Sequence, residues 1–82
     1  MNVAGYEIRW SRQALGAFYQ LHPWTAMTVD RAVIRFVERG EGFVERDPPY
    51  VRLRAGFYDV LLSIDPKERT VGVVQFYRAR AR

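Results

Sequence analysis

Cysteine is absent, histidine occurs once and lysine once, and each shortage removes a class of chemistry. Without cysteine there is no disulfide staple, no thiolate metal ligand and no thiol nucleophile, a composition suited to a reducing compartment. His22, beside Pro23, has no second histidine or cysteine with which to share a transition metal. It is therefore expected to play a loop or helix-end role, and no metal or other cofactor is expected. A glycine-rich phosphate loop is also missing, because Gly40-Glu41-Gly42 follows a helix signal rather than a strand. Acidic residues are scattered and form no convincing acid/base pair. No apolar run approaches the roughly 18–20 residues that cross a bilayer, and the opening MNVAGYEIRW lacks a signal-peptide pattern. These absences predict a soluble, cytoplasmic domain.

What is present is one domain's worth of chain, 82 residues with 49% hydrophobic and 27% charged side chains, enough for a single modest core over 1–82. The net charge of +4 is unevenly placed. Residues 1–49 hold six basic and six acidic side chains, whereas residues 50–82 hold seven basic and three acidic, so the whole excess lies in the last 33 residues. All but Lys67 of the basic residues are arginine, whose planar fork pairs bidentately with phosphate or carboxylate. A basic half of this kind is the footprint of a nucleic-acid or acidic-protein partner.

The hydrophobic pattern orders the elements. Tyr6, Ile8 and Trp10 alternate with Glu7 and Arg9, which predicts a short strand. Ser11 is placed to cap a helix reaching about Leu21, with Ala14, Leu15, Phe18 and Leu21 on one face and Trp10 stapled onto Leu15. His22-Pro23 interrupts it. Val29, Val33, Phe36 and Val37 form the apolar stripe of a second helix, which Gly40 stops. Glu41–Pro49 reads as a loop whose Pro-Pro pair leads the chain out extended. Strands are predicted near 50–54, 57–64 and 70–78, with Gly56 and the Asp65–Arg69 segment as turns. The expected fold is α+β, β-α-α-β-β-β, an antiparallel sheet with two N-terminal helices packed on one face.

Arginine is the remaining chemical resource. On a strand, Arg52 and Arg54 share one face while Val51 and Leu53 share the other. Arg78 and Arg80 share a parity near the end of the last strand. Arginine stays protonated, so it positions phosphate and stabilises developing negative charge rather than acting as a base. Tyr58, Tyr77, Phe57 and Phe76 are candidates for base stacking wherever they are exposed, with Tyr58 and Phe76 more simply read as core.

Tyr6-Glu7-Ile8-Arg9-Trp10-Ser11, Ala14, Leu21, the segment Val51–Leu61 (VRLRAGFYDVL), Ile64-Asp65 and Tyr77-Arg78 together resemble the RelE/ParE superfamily of toxin–antitoxin toxins, over nearly the whole chain. The resemblance implies a small toxin neutralised by an antitoxin, usually encoded beside it. RelE-like members cleave mRNA in the ribosomal A site without metal, by attack of the 2′-hydroxyl; ParE-like members poison DNA gyrase. It implies Arg52, Arg54, Tyr77 and Arg78 as the catalytic set and Tyr58, Arg80 and Arg82 as RNA-binding residues. Two departures bear on this. Asp59 stands where many members carry arginine, and the sequence ends before the C-terminal tyrosine of some nuclease members. Both fit the gyrase alternative, or a degenerate member that mainly binds its antitoxin.

Overall fold

Ser11 shows how local sequence becomes tertiary structure here. Its hydroxyl accepts from the Ala14 backbone N–H at 3.0 Å, capping helix α1 (Arg12–Tyr19), and donates to the Val74 carbonyl at 2.6 Å. One side chain thus starts a helix and ties it to the last strand. The computed structural model describes residues 2–79. Strand β1 (Glu7–Trp10) precedes α1, and helix α2 (Pro23–Arg39) follows it. Strands β2 (Val44–Asp47), β3 (Tyr50–Ala55), β4 (Tyr58–Asp65) and β5 (Thr70–Arg78) complete a five-stranded sheet in the order β1-β5-β4-β3-β2.

The α+β class and the antiparallel β3–β4–β5 meander agree with the sequence reading. Three details differ. The sheet is mixed, because β1 lies parallel to β5; hydrophobic alternation reports a strand's faces and not its partner. A further strand, β2, occupies part of the segment expected to be a loop and pairs antiparallel with β3. It is an edge strand whose residues are all exposed or half-buried, so it has no apolar alternation to betray it. Pro48 and Pro49, joined by a cis peptide bond, turn β2 into β3 rather than leading out of a loop.

The helices keep most of their expected boundaries. Helix α1 ends two residues early, where Gln20 and Leu21 bond back to the Ala17 and Phe18 carbonyls and tighten the last turn. Trp10 packs edge-to-face on Phe18 at 4.9 Å, while Leu15 stays partly exposed. His22 takes a helix-end role: its Nδ1 accepts from the Trp24 N–H at 3.2 Å, with Pro23 in the first turn of α2. Gly40, at φ 68°, closes α2 in the left-handed conformation.

The core forms between the helices and one sheet face. Val29, Val33, Phe36 and Val37 of α2 meet Val51, Leu53, Val60, Leu62, Val71 and Val73, all buried. Each such side chain contributes about 1.5–3 kcal/mol on leaving water. The β4–β5 pairing carries one irregularity that matters for the site. Leu61 opposes Gln75 but Leu62 opposes Val73, so Val74 is an extra residue and β5 changes parity there. The carbonyl of this bulged residue is the one that receives the Ser11 hydroxyl. Ser11→Ala is expected to lower stability by about 1–2 kcal/mol, since it removes both the cap and the bulge contact. A urea unfolding midpoint equal to that of the native chain would refute this.

Candidate functional site

The sheet face away from the helices gathers the polar residues of the meander. On β3, Arg52 and Arg54 alternate with buried Val51, Leu53 and Ala55. The register places Arg54 beside Asp59 and Asp59 beside Tyr77, a row across β3, β4 and β5. The next row runs from Glu45 to Arg52, Leu61 and Gln75. Leu61 is buried yet lies outside the core cluster, because the long side chains around it cover it from the outer face.

Each arginine of this face is held by a carboxylate. Arg52 Nη2 donates to Glu45 Oε2 at 2.7 Å, and Arg54 Nε donates to Asp59 Oδ1 at 2.9 Å. Arg9, farther across the sheet, pairs with Glu7 at 3.0 Å. The Glu45 hydrogen bond, and after it the neighbouring Tyr77 side chain, raises the Arg52 guanidinium above its ordinary pKa. Arg52 is a permanent cation, and Tyr77 lies on the same sheet face in the adjoining row. The Arg54–Asp59 bond uses only Nε, so the terminal amino groups of Arg54 keep donors for another anion, and its side chain is 41% exposed. Asp59 itself is only 9% exposed. A carboxylate that buried needs its cation, which is why an acid is tolerated in the middle of an arginine-bearing face.

The structure joins Arg52, Arg54 and Tyr77 but separates Arg78 from them. Beyond the Val74 bulge, Tyr77 faces outward with Asp59, and Arg78 opposes Tyr58 on the helix side. There the Arg78 guanidinium lies 6.0 Å from the centre of the Phe57 ring. Tyr58 packs edge-to-face on Phe76 at 5.8 Å and against the core, which leaves Phe57 as the exposed aromatic of the turn. Arg80 and Arg82 lie outside the described residues. Sequence reasoning missed Glu45, because its strand has no apolar signal; the opposite charges of Glu45 and Arg52 across a short turn were the available clue.

No protein-family model matches the sequence, and no curated protein does. Solved structures match the fold. The isolated E. coli RelE toxin superposes with a TM-score of 0.74 at 14% identity, over 95% of this chain and 88% of that one. A chain of the archaeal RelE–RelB complex from Pyrococcus horikoshii gives 0.73 at 15% identity, over 94% and 97%. A chain of the RelBE2 toxin–antitoxin complex from Mycobacterium tuberculosis gives 0.65 at 23% identity, over 89% and 96%. The chain has the RelE fold.

Asp59→Asn removes the acid that competes for Arg54. It is expected to strengthen binding of a labelled single-stranded oligonucleotide and to steepen the log–log salt dependence by about 0.7 per added phosphate contact. Glu38→Gln makes the same change of net charge on α2, away from this face. Equal gains in the two variants would show that overall charge, not release of Arg54, is responsible.

Proposed function

We propose that the chain is the toxin of a toxin–antitoxin pair and cuts mRNA on the ribosome without metal. The observation that carries this reading is the convergence of Arg52, Arg54 and Tyr77 on one face of a RelE fold. RNA supplies its own nucleophile, the 2′-hydroxyl, so the protein has only to align a phosphate, stabilise its charge and move protons. Arg52 and the free donors of Arg54 hold the non-bridging phosphate oxygens as negative charge builds on them. The 2′-oxygen bonds to phosphorus as the bond to the 5′-oxygen breaks. The 2′-hydroxyl proton passes to water, and Tyr77, beside Arg52, gives its proton to the departing oxygen. Arg78, on the opposite face, takes no part in this step. The protein partner is an antitoxin, as in the RelBE complexes whose fold this chain shares.

The two ion pairs favour a second reading. Arg52–Glu45 and Arg54–Asp59 leave the face close to neutral, as expected of a member that binds its antitoxin without cutting. Inducible expression separates the two. A cutting toxin arrests growth and creates new 5′ ends inside translated mRNA, mapped by primer extension. Arg52→Ala should reduce cleavage by about 100-fold or more, and Tyr77→Phe by about 10–100-fold. Absence of arrest selects the antitoxin-binding member. Arrest with intact mRNA overturns the nuclease, and a supercoiling assay then tests the gyrase alternative.

A further inference from the structure

Trp24 and Phe57 are 73% and 77% exposed, the large aromatic side chains that a folding chain has most reason to cover. They line the same open cleft of about 290 Å³, between the first turns of α2 and the β3–β4 turn. Thr25, Thr28, Ala55, Gly56, Tyr58 and Arg78 complete its walls, and no acidic residue lines it. Among the described residues, no aromatic ring stacks on Trp24 or Phe57, and Arg78 has no carboxylate within ion-pair distance. On the outer face each arginine is neutralised by its neighbour, whereas the Arg78 guanidinium of this cleft lies 6.0 Å from the centre of the Phe57 ring, without a carboxylate partner and with the Trp24 ring exposed nearby.

The walls are held in place. A Cβ at Gly56 would come within 3.2 Å of the Thr28 methyl group, so the β3–β4 turn sits directly against α2. Gly56 at φ 61° makes that turn, and the Phe57 carbonyl accepts from the Ala79 N–H at 2.8 Å. The Phe57 backbone is therefore anchored while its ring stands in solvent. At its other edge the Trp24 N–H is bonded to His22. A backbone fixed on both sides of the cleft lowers the cost of binding a flat ligand.

We propose that this cleft binds one unpaired base of a single-stranded nucleic acid, stacking it on Trp24 and Phe57 and holding its phosphate on Arg78. Exposed aromatic rings accept any base through its π-face, and a neighbouring arginine supplies the anion contact. The Thr25 hydroxyl can meet the polar edge of the base, while that of Thr28 donates to the Trp24 carbonyl at 3.0 Å. The cleft is of the size that a small flat ligand such as one base fills. The site lies on the opposite side of the sheet from Arg52, Arg54 and Tyr77, and it stands whether or not those residues cut RNA.

The test uses the full chain and a six-nucleotide oligoadenylate, with tryptophan emission and the anisotropy of a labelled copy read together. Emission is expected to be quenched on binding, and the quenching to vanish in Trp24→Phe, which leaves Trp10 as the sole tryptophan. Phe57→Ala should weaken binding by about tenfold, a typical loss for one stacking contact. Arg78→Ala should weaken it and flatten the log–log salt slope by about 0.7. Both side chains are exposed, so circular dichroism should report a native fold in each variant. Unchanged emission when anisotropy shows saturation would overturn the proposal, as would native affinity in Phe57→Ala. Stronger quenching by a glutamate-rich peptide than by the oligoadenylate would overturn it in favour of a protein partner. Quenching that persists in a chain unable to cleave mRNA, or cleavage without quenching, separates this site from the proposed nuclease.

Discussion

The pairing of Val51–Ala55 with Tyr58–Leu62 is the constraint on which the rest of the structure depends. Strand side chains alternate, so a single register decides both sheet faces at once. In this register Val51, Leu53, Val60 and Leu62 face α2, and Arg52, Arg54, Asp59 and Leu61 face away. A slip of one residue would drive two guanidinium groups into the core, at a cost of several kcal/mol for each buried ion. Core formation and assembly of the arginine face are thus one event, and a chain that packs its valines has already placed its cations.

That face is not a bare phosphate grip. Arg52 and Arg54 each meet a carboxylate, and the more buried of the two acids, Asp59, sits in the middle of the meander. The partly exposed Arg52–Glu45 pair adds only about 0–1 kcal/mol to stability, whereas the buried Asp59 depends on Arg54 as its counter-charge. Both pairs also act on ligands, because an anion must share or displace a partner already in place. The basic excess of the sequence does not translate into a uniformly positive surface. Among the described residues, the sheet's outer arginines are paired, while Arg78, on the helix side, faces exposed aromatic rings.

Local signals were legible where one residue acts on its own neighbours. Ser11 and Gly40 mark helix ends because a cap and a left-handed stop are short-range devices, and the Val29–Val37 stripe follows from helical periodicity alone. The pairing partner of Asp59 was also within reach, since Arg54 is only five residues away across a tight turn. Hidden from such reasoning were β2, whose edge position removes any apolar alternation, and the parallel union of β1 with β5, which joins residues more than sixty positions apart.

By itself, the sequence determined that Arg52 and Arg54 would share a face opposite Val51 and Leu53, because strand alternation needs no knowledge of neighbours. It could not decide the faces of Tyr77 and Arg78. Counting from Val71 and Val73, strict alternation would turn Tyr77 inward and Arg78 outward to join the other arginines. The extra residue Val74, tied to Ser11 across the sheet, reverses that parity. Tyr77 thereby joins the face of Arg52 and Arg54, and Arg78 goes to the aromatic cleft. The Ser11 N–H and hydroxyl bond the successive carbonyls of Val73 and Val74, and only the tertiary structure brings the end of β1 and the start of α1 to that point of β5.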